Sequence, residues 1–87
     1  MKIEIFTSPN CPHCPPAKEF VENFVNGKDI ELIQVNILTS EGQELAQKFQ
    51  IMTVPTIFIS SESHQQRIGF RGIPGKDDWN KAVEMVK

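Results

Sequence analysis

The sequence NCPHCPP at residues 10–16 holds both cysteines of the 87-residue chain, spaced as Cys-x-x-Cys. An apolar, strand-like run precedes it and a helix-like run follows it, so we expect the two sulfurs where a strand passes into the N-terminus of a helix. A thiol at a helix N-terminus ionises more easily than a free thiol. The second thiol, three residues further on, can resolve the mixed disulfide that the first one forms. The stretch therefore predicts a dithiol–disulfide switch.

Length and composition are those of one soluble globular domain, which we expect to span residues 1–87. The chain is 39% apolar and 23% charged with a net charge of −2, which argues against disorder and against a nucleic-acid surface. No apolar run approaches the roughly 20 residues of a membrane span, and the N-terminus lacks a signal-peptide pattern. We therefore expect a cytoplasmic protein that acts as a monomer without nucleic-acid or membrane partners. Two cysteines in that compartment favour catalytic or metal-binding use over a disulfide scaffold.

Hydrophobic periodicity in the first half predicts a strand, a helix and a second strand. Residues Lys2–Thr7 alternate as in a strand, and the apolar stripe after the cysteines predicts a helix that Gly27 ends. Residues 30–37 predict a second strand that is apolar enough to be buried on both faces. A strand–helix–strand unit of this length requires a parallel pair of strands with a right-handed crossover.

The second half predicts a helix, an antiparallel hairpin and a C-terminal helix. Ser40 and Gln43 fit a capping box at the start of the helix. Residues 56–59 and 65–70 are strand-like and are separated by a polar turn, and residues 79–86 carry an apolar helical stripe. The element order is therefore βαβαββα.

Three landmarks in this order resemble the thioredoxin/glutaredoxin superfamily: the Cys-x-x-Cys after the first strand, Val-Pro-Thr at residues 54–56, and Gly72 after the fourth strand. The match covers essentially the whole chain, and its size and the Cys-Pro-His-Cys-Pro run resemble the small glutaredoxin-like thioredoxins of archaea and anaerobes. The resemblance implies an α/β fold of the thioredoxin-like, glutaredoxin-sized kind, with a four-stranded mixed sheet flanked by three helices. It also implies a protein-disulfide oxidoreductase without a bound cofactor or metal. Its substrates would be disulfide-containing proteins, and its electron donor a thioredoxin-reductase-type flavoprotein.

The cysteine turn predicts a role for each sulfur. Cys11 is expected to attack a substrate disulfide, and the more buried Cys14 to resolve the mixed disulfide. If Cys11 is the N-cap residue of the helix, Pro12 occupies the first helical position, where a missing N–H has no cost. The amides of His13 and Cys14 then remain available to a Cys11 thiolate. We expect the pKa of Cys11 to fall from about 8.5 into the range of about 3.5–7.5.

The residues around the two cysteines are candidates for redox tuning. His13 is expected to stabilise the Cys11 thiolate by a hydrogen bond or by its positive charge, and its alternative is an exposed turn residue without a role. Such stabilisation favours the reduced form, and it moves the potential from the thioredoxin value of about −270 mV toward the DsbA value of about −120 mV. Pro15 and Pro16 predict an irregular first turn, with regular helix from near Ala17.

A second group of candidate residues is expected to bind substrate. The resemblance implies that the Val54–Pro55 bond is cis and lies beside the cysteines, where the backbone of Val54 pairs with an extended substrate segment. Gly72 and Ile73 match the glycine-containing loop that completes the substrate groove in this superfamily. The alternative for Pro55 is a simple proline at the entry of a strand.

Two departures from the superfamily pattern bear on the mechanism. Ile5 stands six residues before Cys11, where larger thioredoxins carry a buried acid that accepts the proton of the resolving cysteine. Solvent or another group is then expected to take that proton. Glutathione-using glutaredoxins carry a Gly-Gly pair, whereas Ile73 follows Gly72 here, and the motif has no tyrosine.

Two other functions stay open at this point. One is a glutathione-dependent glutaredoxin, which the same departures weaken. The other is a metal- or iron–sulfur-binding module. Cys11, His13 and Cys14 supply at most three ligands, whereas a structural zinc site takes four.

Overall fold

Four strands and three helices follow one another in the order that the hydrophobic periodicity predicts. The computed structural model describes all residues from 1 to 87. The elements are β1 (Lys2–Thr7), α1 (Cys14–Val25), β2 (Glu31–Asn36), α2 (Ser40–Lys48), β3 (Thr56–Ser60), β4 (Ile68–Arg71) and α3 (Lys76–Val86). None of the three helices has the length and apolar character that crossing a membrane requires.

The strands form one mixed sheet in the order β2-β1-β3-β4. β1 and β2 are parallel, and β3 is antiparallel to both β1 and β4. β1 and β4 therefore terminate at the same end of the sheet, where β3 begins. The register places Phe6 opposite Thr56 and Thr56 opposite Arg71. This topology brings three loops together at that end of the sheet: the cysteine loop after β1, the Val-Pro loop before β3, and the glycine loop after β4. The expected mixed sheet with three helices is confirmed.

The main core lies between the sheet and helices α1 and α3. Trp79 is 3% exposed, and its ring meets the rings of Phe20, Phe24 and Phe70 at centroid distances of 5.1–5.8 Å. This burial confirms the predicted apolar faces of α1 and α3. The core cluster comprises Ile3, Ile5, Ala17, Val21, Ile57, Ile59, Trp79, Ala82 and Val86.

The opposite face of the sheet carries a second, aromatic cluster. Phe6 meets Phe49 and Phe58 edge-on, at centroid distances of 6.2 and 5.8 Å. Glu4, which is 6% exposed, accepts a 2.8 Å hydrogen bond from Nε of Arg67, and that guanidinium lies 3.9 Å from the centre of the Phe49 ring. The charge of Glu4 is thus paired where it is buried, as a buried carboxylate requires.

β2 is an edge strand, so the prediction that it is buried on both faces is wrong. Only Val35 is buried among its residues, and Leu32 and Ile33 are half-buried. The reason is its place at the margin of the sheet, which the packed layers cover less completely than the central strand β1, whose burial pattern is nearly continuous. An apolar run can therefore sit at the edge of a sheet as well as at its centre.

The start of α2 also differs from the prediction. Thr39, not Ser40, is the N-cap residue, and its hydroxyl accepts a 2.9 Å hydrogen bond from the backbone N–H of Gly42. Ser40 is already helical, so the capping box of Ser40 with Gln43 does not form. The same Thr39 hydroxyl donates to the carbonyl oxygen of Asn36 at 2.9 Å, which ties the helix start to the end of β2.

β4 begins at Ile68, three residues later than expected. The backbone groups of Ser61 and His64 hydrogen-bond to each other at 3.0 and 3.2 Å, which closes the turn before the ladder starts. His64 Nδ1 also lies 2.9 Å from the carbonyl oxygen of Gln66. Residues 65–67 therefore belong to the turn, while the predicted antiparallel pairing of β3 and β4 is confirmed.

Candidate functional site

The two cysteines are joined by a disulfide bond at the start of α1, with their Cα atoms 5.4 Å apart. Cys14 is 2% exposed, whereas Cys11 is only partly buried. The burial difference is a consequence of position, because Cys14 faces the sheet from the first turn of the helix and Cys11 lies in the preceding loop. Cys11 is thus the more accessible of the two cysteines to another protein.

The helix begins later than the sequence suggested. α1 starts at Cys14 and His13 is its N-cap residue, so the prediction that Cys11 caps the helix with Pro12 at its first position is wrong. Pro12 and His13 form a turn, and the Cys14 amide donates to the carbonyl oxygen of Cys11 at 3.4 Å. That amide is therefore engaged in this form of the protein. His13 is exposed and makes no capping hydrogen bond.

Pro15 and Pro16 explain this start. The first three N–H groups of a helix have no partner within it, so prolines are tolerated there. The first helical backbone bond runs from Ala17 N–H to the carbonyl oxygen of His13, at 3.4 Å. Both prolines therefore lie within the first turn, and the expectation of regular helix only from near Ala17 is wrong by one turn.

The loop before β3 meets the cysteine turn directly. The Val54–Pro55 peptide bond is cis, as the resemblance implies. The carbonyl oxygen of Val54 lies 3.6 Å from Sγ of Cys11. The backbone N–H of Val54 makes no backbone hydrogen bond within the chain. Val54 thus places one backbone acceptor at the accessible sulfur and keeps one backbone donor unused.

The loop after β4 is attached to the same place. The N–H of Gly72 donates to the carbonyl oxygen of Pro55 at 2.8 Å. Gly72 has a φ of +75°, a conformation that glycine adopts without the steric penalty of a Cβ. The next residue, Ile73, is 49% exposed. Sequence reasoning did not single out Met52, which lies two residues before Val54 and is 85% exposed.

A cavity of about 410 Å³ opens on the β2 side of the disulfide. Both cysteines line it, together with Lys18 of α1 and with Gln34 and Asn36 of β2. Sequence reasoning missed Lys18, although its spacing of four residues from Cys14 indicates the same helix face. The contribution of β2 follows only from the sheet register.

Ile5 is fully buried in the main core. The position at which larger thioredoxins carry an acid is therefore filled by a branched apolar side chain, with no carboxylate to accept a proton from Cys14. No cluster of three or more His, Cys, Asp or Glu side chains is arranged to hold a metal ion.

Comparison with known proteins identifies relatives over the whole chain. A model of the glutaredoxin family matches residues 3–64. A thioredoxin of Methanocaldococcus jannaschii is 38% identical over 86 residues, which cover 97% of this chain and 93% of that protein. A probable thioredoxin of Methanothermobacter marburgensis is 34% identical over 85 residues, which cover 95% of this chain and 92% of that protein.

Solved structures support the fold. A thioredoxin from Halobacterium salinarum superposes with a TM-score of 0.76 at 20% identity, over 98% of this chain and 73% of that one. Thioredoxin O2 from Arabidopsis thaliana in its oxidised state superposes with a TM-score of 0.77 at 16% identity, over 99% of this chain and 75% of that one. At these identities the likeness shows the thioredoxin-like fold and nothing beyond it.

Proposed function

The chain belongs to the glutaredoxin family and is a thiol–disulfide oxidoreductase, and on this basis we propose that Cys11 is its nucleophile and Cys14 its resolving thiol. The observation that carries the assignment is the difference in burial between a partly exposed Cys11 and a Cys14 that is 2% exposed. A substrate disulfide can approach the first sulfur in line. The second sulfur is nearly fully covered in the first turn of α1.

The reaction has two exchange steps. The Cys11 thiolate attacks one sulfur of the substrate disulfide, and the other substrate sulfur leaves as a thiolate with the electron pair of the broken bond. The Cys14 thiolate then attacks Sγ of Cys11 in the mixed disulfide and displaces the second substrate thiolate. The substrate has gained two electrons, and the protein holds the Cys11–Cys14 disulfide.

We propose that Val54, Pro55, Gly72 and Ile73 form the substrate groove. The free N–H of Val54 and its carbonyl oxygen beside Cys11 can pair with an extended substrate segment, as in strand addition. Pro55 offers no competing N–H. The exposed side chain of Ile73 supplies apolar contact that does not depend on the exact substrate sequence.

We further propose that Pro12 and His13 tune the redox potential. His13 lies in the turn between the two cysteines, and its imidazole makes no hydrogen bond in the oxidised form. It is therefore free to stabilise a Cys11 thiolate by a hydrogen bond or by charge. Pro12 fixes the backbone of that turn at one φ value.

The proposed electron donor is a thioredoxin-reductase-type flavoprotein, and the proposed substrates are disulfide-containing proteins of the cytoplasm. The glutathione-dependent alternative is not favoured, because the relatives that cover the whole chain are thioredoxins. To compare the donors, the oxidised protein is supplied with NADPH and thioredoxin reductase, or with glutathione and glutathione reductase. Rapid reduction by the first pair alone supports the proposal, and rapid reduction by the second alone contradicts the proposed donor.

Trapping tests the roles of the cysteines. Cys14→Ser is expected to accumulate a mixed disulfide between Cys11 and a protein substrate, because nothing resolves it. Cys11→Ser is expected to form no such adduct and to lose turnover. Adducts on the second variant and none on the first would reverse the assignment.

A further inference from the structure

We propose that the ammonium group of Lys18 stabilises the Cys14 thiolate during the resolving step, and that the Cys14 proton leaves through the cavity beside it. This inference rests on the proposed role of Cys14 as the resolving thiol. It supplies a positioning residue for a reaction in which the expected buried acid is replaced by Ile5.

The first support is geometry. Lys18 lies four residues after Cys14, which places both side chains on one face of α1. Both residues line the same cavity of about 410 Å³, and that cavity opens to solvent. Cys14 is therefore buried from the substrate side but borders a solvent-accessible space on the β2 side.

The second support is the state of Lys18 itself. Its side chain is half-buried, yet it forms no salt bridge, since the ion pairs of the chain are Arg67–Glu4 and Lys87–Glu84. A lysine carries a positive charge at neutral pH. Since no carboxylate lies within salt-bridge distance of its ammonium group, that charge is not held by Glu22 one turn further on and remains available to the sulfur one turn before.

Among the residues that line the cavity, Lys18 is the one with a charged side chain. β1 and the following loop contribute the neutral residues Thr7 and Ser8, and β2 contributes Gln34 and Asn36. On α1 itself, the exposed Glu19 and Glu22 lie with Lys18 around a separate surface depression that neither cysteine lines. His13 and the Val54 loop lie outside the cavity lining.

The chemical need follows from burial. Taking a thiolate out of water raises its pKa, and an opposite charge nearby lowers it. Cys14 must lose its proton before it attacks, and no acid lies at the position of Ile5 to take that proton. The Lys18 ammonium is already protonated, so it acts through charge and solvent in the cavity is the acceptor.

The resolving step then balances as follows. The Cys14 thiol gives its proton to solvent, and its thiolate forms a bond to Sγ of Cys11. The bond between Cys11 and the substrate sulfur breaks, and its electron pair leaves with the substrate thiolate. Lys18 keeps its proton throughout.

The test is the pH dependence of each exchange step, measured by mixing the reduced protein with dipyridyl disulfide, a neutral probe whose thiol product absorbs light. Release of the first thiol product reports attack by Cys11 on the probe, and release of the second reports attack by Cys14 on the mixed disulfide. Lys18→Gln is expected to raise the pH midpoint of the second release by about half a unit to one unit. Because a thiolate of higher pKa is also a better nucleophile, the rate below the midpoint falls only about twofold to fourfold.

Two further variants separate charge from structure. Lys18→Arg keeps the positive charge and is expected to retain the wild-type midpoint. Lys81→Gln removes the same charge from an exposed position on α3 that does not line the cavity, and it is expected to leave both releases unchanged. The proposal is overturned if Lys18→Gln leaves the pH midpoint of the second release unchanged or shifts the midpoints of both releases equally. It is also overturned if Lys18→Arg does not keep the wild-type midpoint.

The same experiment distinguishes failure of the underlying roles. If Cys14→Ser still gives the second release, Cys14 is not the resolving thiol and the function proposed above fails. If the wild-type protein gives both releases, Cys14→Ser gives one, and Lys18→Gln matches the wild type, only the inference about Lys18 fails.

Discussion

Sγ of Cys11 lies 3.6 Å from the carbonyl oxygen of Val54, although 43 residues separate them in the chain. The negative end of that carbonyl dipole can accept a hydrogen bond from a Cys11 thiol, but it opposes a Cys11 thiolate. The N-terminus of α1 acts in the other direction, because it favours an anion. The accessible sulfur is therefore placed between two opposing influences.

This balance predicts the ionisation of the reduced protein. We expect the pKa of Cys11 to lie below that of a free thiol because of the helix N-terminus, and the Val54 carbonyl to limit that decrease. The measurement is thiolate absorbance against pH in Cys14→Ser, where a single thiol titrates. A midpoint above about 8.5, the value of a free thiol, would show that the helix N-terminus gives Cys11 no net assistance.

His13 provides a prediction about the redox potential. If its imidazole stabilises the Cys11 thiolate, His13→Gly destabilises the reduced form and makes the potential more negative. A loss of half to one pKa unit corresponds to a shift of about 15–30 mV for a two-electron couple. The potential is measured by equilibration against a glutathione or dithiothreitol buffer.

His64 offers a control for that measurement. It is the other histidine of the chain and lies in the β3–β4 turn, at the end of the sheet opposite the cysteines. His64→Gln is expected to leave the potential unchanged. A His13→Gly potential equal to that of the wild type would leave His13 as an exposed turn residue without a redox role.

Local pattern was sufficient for most of the fold. The stripe that includes Trp79 specifies which face of α3 is buried, because its period matches that of a helix. The alternation of Lys2–Thr7 predicts a strand but not its burial on both faces, since Glu4 and Phe6 are buried as well as Ile3 and Ile5. The start of α1 was harder, because Pro12 and Pro15 both satisfy the preference for proline in a first helical turn. The choice depends on how the loop after β1 closes, which is not a local property.

Tertiary arrangement accounts for what the sequence did not indicate. The strand order places β2 at the edge of the sheet. The apolar run of residues 30–37 does not indicate which strands will be its neighbours. The ion pair of Glu4 with Arg67 joins residues 63 positions apart. The cavity beside Cys14 likewise needs the register that brings Gln34 and Asn36 toward α1.

Two positions with positive φ give a matched pair of stability predictions. Gln50, after α2, has a φ of 56°, and Gly27, after α1, has a φ of 75°. Gln50→Gly relieves the strain of a side chain in this conformation and is expected to stabilise the protein by about 0.5–1 kcal/mol. Gly27→Ala introduces the same strain and is expected to destabilise it by about 1 kcal/mol.

Thermal or urea unfolding measures both changes. For a domain of this size 1 kcal/mol corresponds to about 4–8 °C in Tm. A Cβ at Gly27 meets no atom within 4 Å, so its effect is purely one of the backbone. Equal signs for the two variants would show that backbone strain does not control these helix ends.

Ile73 provides the test of the substrate groove. Its side chain is 49% exposed, in the loop that the Gly72 amide ties to the carbonyl oxygen of Pro55. Covering the exposed half of an isoleucine contributes about 1 kcal/mol, so Ile73→Asp is expected to lower kcat/KM for a protein disulfide about fivefold. The rate with dipyridyl disulfide, which is too small to use the groove, is expected to change little.

Met85→Asp is the matched control. Met85 is 60% exposed on the last turn of α3. The next residue, Val86, accepts hydrogen bonds from Ser61 and Ser63 of the β3–β4 turn, which lies at the end of the sheet opposite the cysteines. Like Ile73→Asp, Met85→Asp replaces an exposed apolar side chain with a carboxylate and changes the net charge by the same amount. If both variants lower kcat/KM equally, the effect is one of overall charge, whereas a loss confined to Ile73→Asp places the protein substrate against the glycine loop.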